Sequence, residues 1–315
     1  MVPEKKTGSV IADSVLDLVG STPLVRLNRV VGPDSAEVLV KVESFNPGGS
    51  IKDRVALNMI RMAVEAGLVD RDTTILEPTT GNTGIGLAMV CAALGYRCTV
   101  VMPDSMSLER VMLLRRFGAE VILTPGKEDM EGAVRKARAL AAQRGNCFIP
   151  SQFENRANPD AHRDTTAREI LAAVGERLDV LVVGVGTGGT LTGLGQALRR
   201  HLPDLRIVAV EPEYSPVLSR GTSGRHKIQG LGAGFVPQTL DRSLISSIVT
   251  VSDEDAFDMM ARLCREEGIL AGISSGAAVF AATGLARTLG HGRRIVAILP
   301  DTGERYLGVQ HYFQT

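Results

Sequence analysis

The sequence has no tryptophan, and aromatic residues make up only 4% of it. A surface that stacks unpaired bases needs exposed rings in number, so single-stranded nucleic acid is excluded as a partner class. An excess of either charge is missing as well. Lys and Arg total 35, Asp and Glu total 35, and the net charge is zero. Nothing in that balance steers the chain to nucleic acid or to an anionic membrane. Long apolar runs are also absent. The longest uncharged stretches, 78–96 and 180–198, are interrupted by Gly, Thr or Asn, whereas a membrane span needs about 20 mainly apolar residues. The opening MVPEKKTGSVIADS lacks the apolar core of a leader, so a soluble, cytoplasmic protein is expected. Cysteine is scarce. Cys91, Cys98, Cys147 and Cys264 form no CxxC, and the five histidines have no ligand spacing, so reduced core cysteines and no metal are expected.

What the sequence has in plenty is glycine, 34 residues, in a chain that is 44% hydrophobic and 22% charged. Those proportions are globular, and 315 residues suit two domains. Short β-branched runs at 38–43, 74–77, 97–102, 120–123, 179–184, 206–211 and 294–300 alternate with helical patterns at 55–66, 85–94, 131–143 and 191–200. Such alternation predicts an α/β fold with parallel sheets joined by right-handed crossovers. One more helix is signalled by Ser252 with Asp255 at its start, an apolar stripe of Phe257, Met260 and Cys264, and Gly268 at its end. The polar stretch between Pro150 and Pro159 reads as a boundary, and ligands are expected where strands end, in a cleft.

Four glycine-rich segments fall at such strand ends. In GVGTGGTLTG, 184–193, convergent backbone N–H groups at a helix N-terminus suit an anion, and Thr187 and Thr190 add hydroxyls fit for a phosphate monoester. Gly184, Gly186 and Gly189 also satisfy GxGxxG with Glu211 ending the next strand, which is the dinucleotide pattern of a nicotinamide-dependent oxidoreductase. EPTTGNTG, 77–84, offers hydroxyl and amide donors at a second helix N-terminus, where a carboxylate fits; plain capping by Asn82 or Thr83 is the simpler alternative. In NPGGSIKDR, 46–54, Ser50 and Asp53 read as a capping box that puts Lys52 in the first helical turn. The helix dipole disfavours a cation there, which either lowers the amine's pKa or leaves a solvated lysine screened by Asp53. In GISSGA, 272–277, one serine can cap a helix while the other faces a ligand.

A reactive lysine, a phosphate cup and a carboxylate loop are what pyridoxal-phosphate chemistry on amino acids requires. From about residue 16 to 307 the chain resembles the cysteine synthase/cystathionine β-synthase family of pyridoxal-phosphate enzymes, through GSTPLVRL, NPGGSIKDR, EPTTGNTG, SQFEN, GTGGTLTG, SPVLS, HKIQGLGAGFVP, GISSGA and LPDTGERYL. The resemblance implies fold type II, tryptophan synthase β-like: two α/β domains with twisted, mostly parallel sheets and the site in the cleft between them. Residues 46–152 would be the smaller domain, and 1–45 with 153–315 the larger. It implies Lys52 as Schiff-base lysine and base, with Gly186, Thr187, Gly188, Gly189 and Thr190 as the phosphate cup. Asn82 would bond the cofactor's ring oxygen, and Ser274 would face the pyridine nitrogen. Thr79, Thr80, Gly81, Thr83 and Gln152 would hold the substrate carboxylate. The implied reaction is β-replacement of O-acetyl-L-serine by sulfide through α-aminoacrylate, giving L-cysteine, with another donor or nucleophile (O-phosphoserine, homocysteine, a diaminopropionate-type amine) as the alternative. A homodimer that binds the C-terminal tail of serine acetyltransferase is implied too. The chain departs from the family's usual pattern at Thr80, where serine is usual, at Arg156, where proline is common, and at Arg220, where glycine is common.

Overall fold

The computed structural model describes residues 11–312. Residues 1–10, which include most of the N-terminal stretch read above and the start of the 1–45 segment, lie outside the described residues, as do 313–315. Ten strands are described: β1 Leu24–Arg26, β2 Glu37–Val42, β3 Thr74–Pro78, β4 Arg97–Pro103, β5 Glu120–Thr124, β6 Cys147–Phe148, β7 Val180–Gly184, β8 Arg206–Pro212, β9 Ser247–Val251 and β10 Arg294–Leu299. They make a four-stranded sheet in the order β5-β4-β3-β6 and a six-stranded sheet in the order β1-β2-β10-β7-β8-β9. The smaller sheet is wholly parallel, and in the larger only β1 runs antiparallel to its neighbour.

The helices are α1 Lys52–Glu65, α2 Asn82–Leu94, α3 Leu108–Arg116, α4 Asp129–Arg144, α5 Ala157–Ala161, α6 Ala167–Val174, α7 Gly189–His201, α8 Val217–Arg220, α9 Asp253–Glu267 and α10 Ile273–Leu289. A parallel sheet must be covered on both faces, and the strand sequences show it. In β7, β8 and β10, Val180, Val182, Val208, Val210, Ile295 and Ala297 pack toward α9 and α10. Their alternates Leu181, Val183, Ile207, Ala209, Val296 and Ile298 pack against α6 and α7. Period-two alternation thus builds two cores from one run of β-branched residues. The smaller sheet has α1 and α2 on one face and α4 on the other.

Four expectations need correction. Strands β1, β6 and β9 were not expected. Cys264 is exposed and Cys147 only half-buried, so neither is a core cysteine. Helix α9 is capped by Ser252, whose Oγ accepts from Asp255 N at 3.0 Å, and ends at Gly268 as expected, but its buried stripe is Ala256, Met259, Met260 and Leu263. Finally, the capping box at Ser50 and Asp53 does not form. Ser50 Oγ takes the Lys52 N–H at 3.2 Å, and the Asp53 carboxylate reaches back to Gly48 N at 2.6 Å.

A buried ionic cluster fastens α1 to the larger sheet. Arg54 Nε meets Glu43 at 2.7 Å and Arg54 Nη1 meets Glu169 at 2.6 Å. Lys41 Nζ, fully enclosed on β2, meets the same Glu169 at 2.6 Å. Thr22 closes the ring by donating to Glu43 at 2.6 Å.

Candidate active site

The carboxyl ends of β3, β7 and β10 open on one cavity of about 730 Å³. Ligands in open α/β sheets sit at such ends. Of the thirteen site residues expected from the sequence, twelve line it: Lys52, Thr79, Thr80, Gly81, Asn82, Thr83, Gln152, Gly186, Thr187, Gly188, Thr190 and Ser274. Gly189 does not. It is packed behind the loop, where an added Cβ would lie 2.0 Å from Asn158 Oδ1. A second cleft, about 670 Å³, lies at the opposite end of the larger sheet. There Arg293 pairs with Asp179 at 2.7 Å and both Arg26 and Arg294 pair with Glu37, and none of the thirteen expected site residues lines it.

Lys52 is the first residue of α1, as the sequence predicts. Burial pulls its pKa down to about 8, and the nearby Asp301 carboxylate pulls the other way. Enclosure weakens the hold on the extra proton, so a usable fraction of the amine is neutral, and nucleophilic, near neutral pH.

The 79–83 turn leaves β3 and enters α2 through Gly81, with no side-chain cap, so Asn82 and Thr83 are free of capping. Thr83 Oγ1 donates to Gln152 Oε1 at 2.5 Å. Asn82 Nδ2 donates to Asp301 Oδ2 at 2.7 Å, and Arg305 donates to its oxygen. Arg110 Nη1 fixes the Thr80 carbonyl at 2.9 Å while Nη2 reaches Gln229 at 2.6 Å. Amide, hydroxyl and backbone donors therefore converge on a helix N-terminus, the setting for a carboxylate.

Across the cavity, the 186–190 turn enters α7 through Gly188, which has φ +82° and again no side-chain cap. Glycine is required at 186, where a Cβ would lie 2.1 Å from the Gly230 carbonyl oxygen. Thr190 Oγ1 is 3.2 Å from Nε2 of His162, a fully buried histidine kept neutral by burial and by Lys52 and Arg54. Glu211 is not available to a ribose. It is buried and accepts the N–H groups of Leu218 and Ser219 at 2.7 and 3.0 Å, capping α8, which removes the acidic half of the dinucleotide pattern.

Residues 15–301 match the profile of the pyridoxal-phosphate dependent enzymes. The chain belongs to that family. A cysteine synthase of Staphylococcus aureus is 52% identical over 301 residues, 95% of this chain and 97% of that one. The structure of the cysteine synthase of Entamoeba histolytica superposes with a TM-score of 0.95 at 38% identity, covering 99% of this chain and 94% of that one. That of an O-ureido-L-serine synthase gives 0.92 at 50% identity, covering 95% and 94%. The fold is accordingly fold type II of the pyridoxal-phosphate enzymes.

The cavity suits the family's cofactor. The amine of Lys52, the donor-rich 186–190 turn and the Asn82 amide all line it, and a buried polar atom there, Asp301 Oδ1, has no hydrogen-bond partner among the described residues. Ser274 also faces the cavity. It sits in the second position of α10, whose N-cap is Gly272, so neither serine of GISSGA is the cap.

Two titratable groups on the cavity wall, Asp301 and Glu77, escaped the sequence reading. Asp301 accepts from Tyr306 Oη at 2.5 Å as well as from Asn82, and burial raises its pKa although those bonds, Arg305 and Arg110 oppose the rise. Glu77, at the end of β3, is enclosed on the cavity wall, and burial pushes its pKa up to about 7 against the pull of two backbone N–H groups. Both residues stand inside quoted motifs, EPTTGNTG and LPDTGERYL, which was the available signal. Among the described residues no group of three potential ligands is placed to hold a metal ion, and no helix is long and apolar enough to cross a membrane.

Proposed function

We propose that this chain makes L-cysteine from O-acetyl-L-serine and sulfide by β-replacement, with pyridoxal phosphate held at Lys52. The observation that carries this reading is a lysine of lowered pKa standing between two uncapped helix N-termini in a single cavity. When bound, the cofactor withdraws electrons from the substrate's α-carbon and so acidifies its α-proton. The chain's own residues supply the rest. The 186–190 turn, with Thr187 and Thr190, holds the phosphate, and Asn82 bonds the ring's oxygen. Thr79, Thr80, Gly81, Thr83 and Gln152 orient the substrate carboxylate. Lys52, freed when substrate binds, takes the α-proton as general base. Ser274 offers the ring nitrogen a hydroxyl, which leaves that nitrogen largely neutral. A hydroxyl rather than a carboxylate at that position would favour loss of the α-proton together with departure of the β-acetate.

Lys52→Ala tests the assignment. Turnover should vanish, and borohydride should no longer fix cofactor to the chain. Borohydride labelling at another lysine refutes it. Similarity to an O-ureido-L-serine synthase supports a second reading, in which a nucleophile larger than sulfide attacks. Initial rates with O-acetylserine and O-phosphoserine against a panel of thiols and amines separate the two. The family resemblance further supports residues 46–152 as a unit distinct from 1–45 and 153–315. It also supports a cytoplasmic homodimer whose cleft accepts the C-terminal tail of a serine acetyltransferase. Sedimentation and competition by a tail peptide test the last two points.

A further inference from the structure

The two anion turns belong to different sheets, so their spacing depends on what joins them. Gln152 lies at the joint. Its side-chain oxygen is taken by Thr83, and its amide nitrogen, without a hydrogen bond to any described residue, faces the cavity. Its backbone is gripped on both sides. On one side the Glu77 carboxylate accepts from Ser151 N at 3.1 Å and, more weakly, from Gln152 N at 3.5 Å. On the other, Asn158 Nδ2 donates to the Gln152 carbonyl at 2.8 Å.

That same nitrogen donates to Thr187 Oγ1 at 3.0 Å. One fully buried amide therefore touches the carboxylate side and the phosphate side at once. Ser151 pays for this arrangement. It has φ +55°, one of three non-glycine residues at positive φ among the described residues. A side chain is held there only when its surroundings over-determine it. Asn158 is wedged in place as well, since its Oδ1 lies over Gly189 where no Cβ fits.

We infer that Glu77 and Asn158 are positioning residues: Glu77 fixes the backbone that presents Gln152 to the substrate carboxylate, and Asn158 ties Gln152 to Thr187 so that the two anion sites keep one spacing. This rests on the reading that 186–190 takes the cofactor phosphate and that Gln152 takes the substrate carboxylate. The two residues then have different signatures. Measured above pH 8, where Glu77 is ionised, Glu77→Gln should raise the KM for O-acetylserine about tenfold, the worth of one charge-assisted bond. Its kcat and its affinity for pyridoxal phosphate should change less than about twofold. Asn158→Leu, of similar size but without donors, should raise both that KM and the Kd for pyridoxal phosphate about tenfold each.

The measurements are absorbance titration of cofactor-stripped protein with pyridoxal phosphate, and steady-state kinetics of the reloaded enzyme. Asn158→Ser, which keeps one hydroxyl donor in less space, replaces the leucine variant if that variant does not fold. Its single, shorter donor cannot span the Gln152 carbonyl and Thr187, so the tie is cut and both parameters should again rise. Thr187→Val is the control for the underlying reading. If it leaves the cofactor Kd unchanged, the phosphate assignment itself fails. If it weakens the cofactor while a folded Asn158 variant alters only one site or neither, the coupling is refuted and the assignment stands. An unchanged KM in Glu77→Gln likewise refutes the role of Glu77.

Discussion

Residues 79–83 and residues 186–190 each leave a parallel strand at its carboxyl end and enter a helix through a glycine that has no side-chain cap. Their surroundings differ. The second turn is hemmed in by backbone and core side chains: the Gly230 carbonyl stands against Gly186, and Leu240 against Gly188. At Gly81 an added Cβ would meet nothing within 4 Å, and what steadies that turn is a polar tie, Arg110 to the Thr80 carbonyl. Close packing sets one turn, with Asn158 and Thr239 adding hydrogen bonds at Thr187, whereas the other turn depends on its polar tie. Packing cannot adjust by small amounts, whereas polar ties can be remade. The packed turn therefore suits a phosphate that stays, and the tied turn suits a carboxylate that comes and goes with every cycle.

The comparison breaks if the same small change has the same effect in both places. Gly186→Ala drives a methyl into a carbonyl that cannot move cheaply, so a loss of about 3 kcal/mol in unfolding free energy is expected, together with loss of the visible absorbance of retained cofactor. Gly81→Ala enters open space from ordinary negative φ, so stability should hold within about 0.5 kcal/mol, with any change confined to the KM of the amino-acid donor. Denaturant titration and cofactor content per chain measure both.

A pH experiment sharpens the account of Lys52, which faces both turns. Only the neutral amine can take up the cofactor, so uptake by stripped protein should rise with pH and level off above about 8, the pKa that burial produces. Asp301 raises that pKa, so Asp301→Asn should move the midpoint to lower pH. A midpoint near the ordinary lysine value would show a solvated amine. The smallest effect expected is at Thr80. Removing its methyl in Thr80→Ser should shift relative kcat/KM across a donor and nucleophile panel by a few-fold, about 1 kcal/mol. Identical ratios would remove Thr80 from the account of specificity.

The turns were legible in the sequence because each is a local event, an apolar strand followed by small and hydroxyl residues and then a helix. Seven strands were legible for the same reason. Strands β1 and β6, of three and two residues, are too short for a pattern, and β9 is an edge strand with four of five positions half-buried, which blurs its alternation. In α9 the expected stripe was turned by about one residue, because helical spacing fixes a period but leaves its phase to the neighbours. Asp301 and Glu77 could not be assigned roles for a different reason. Asp301 acts on Asn82 across 219 residues, and Glu77 on Ser151 across 74, and no local pattern encodes such a meeting. Glu211 shows the converse, since it satisfied a sequence spacing while the fold spent its carboxylate on capping α8.

The cluster of Lys41, Glu43, Arg54 and Glu169 constrains how this sequence can drift. Replacing any one member leaves a buried partner with unbalanced charge, a loss of about 3–5 kcal/mol that a domain of ordinary stability scarcely survives. An all-apolar set of similar volume need not be worse, yet every single-step path to it passes through such an intermediate. The four side chains therefore constrain one another, across 128 residues of chain between Lys41 and Glu169.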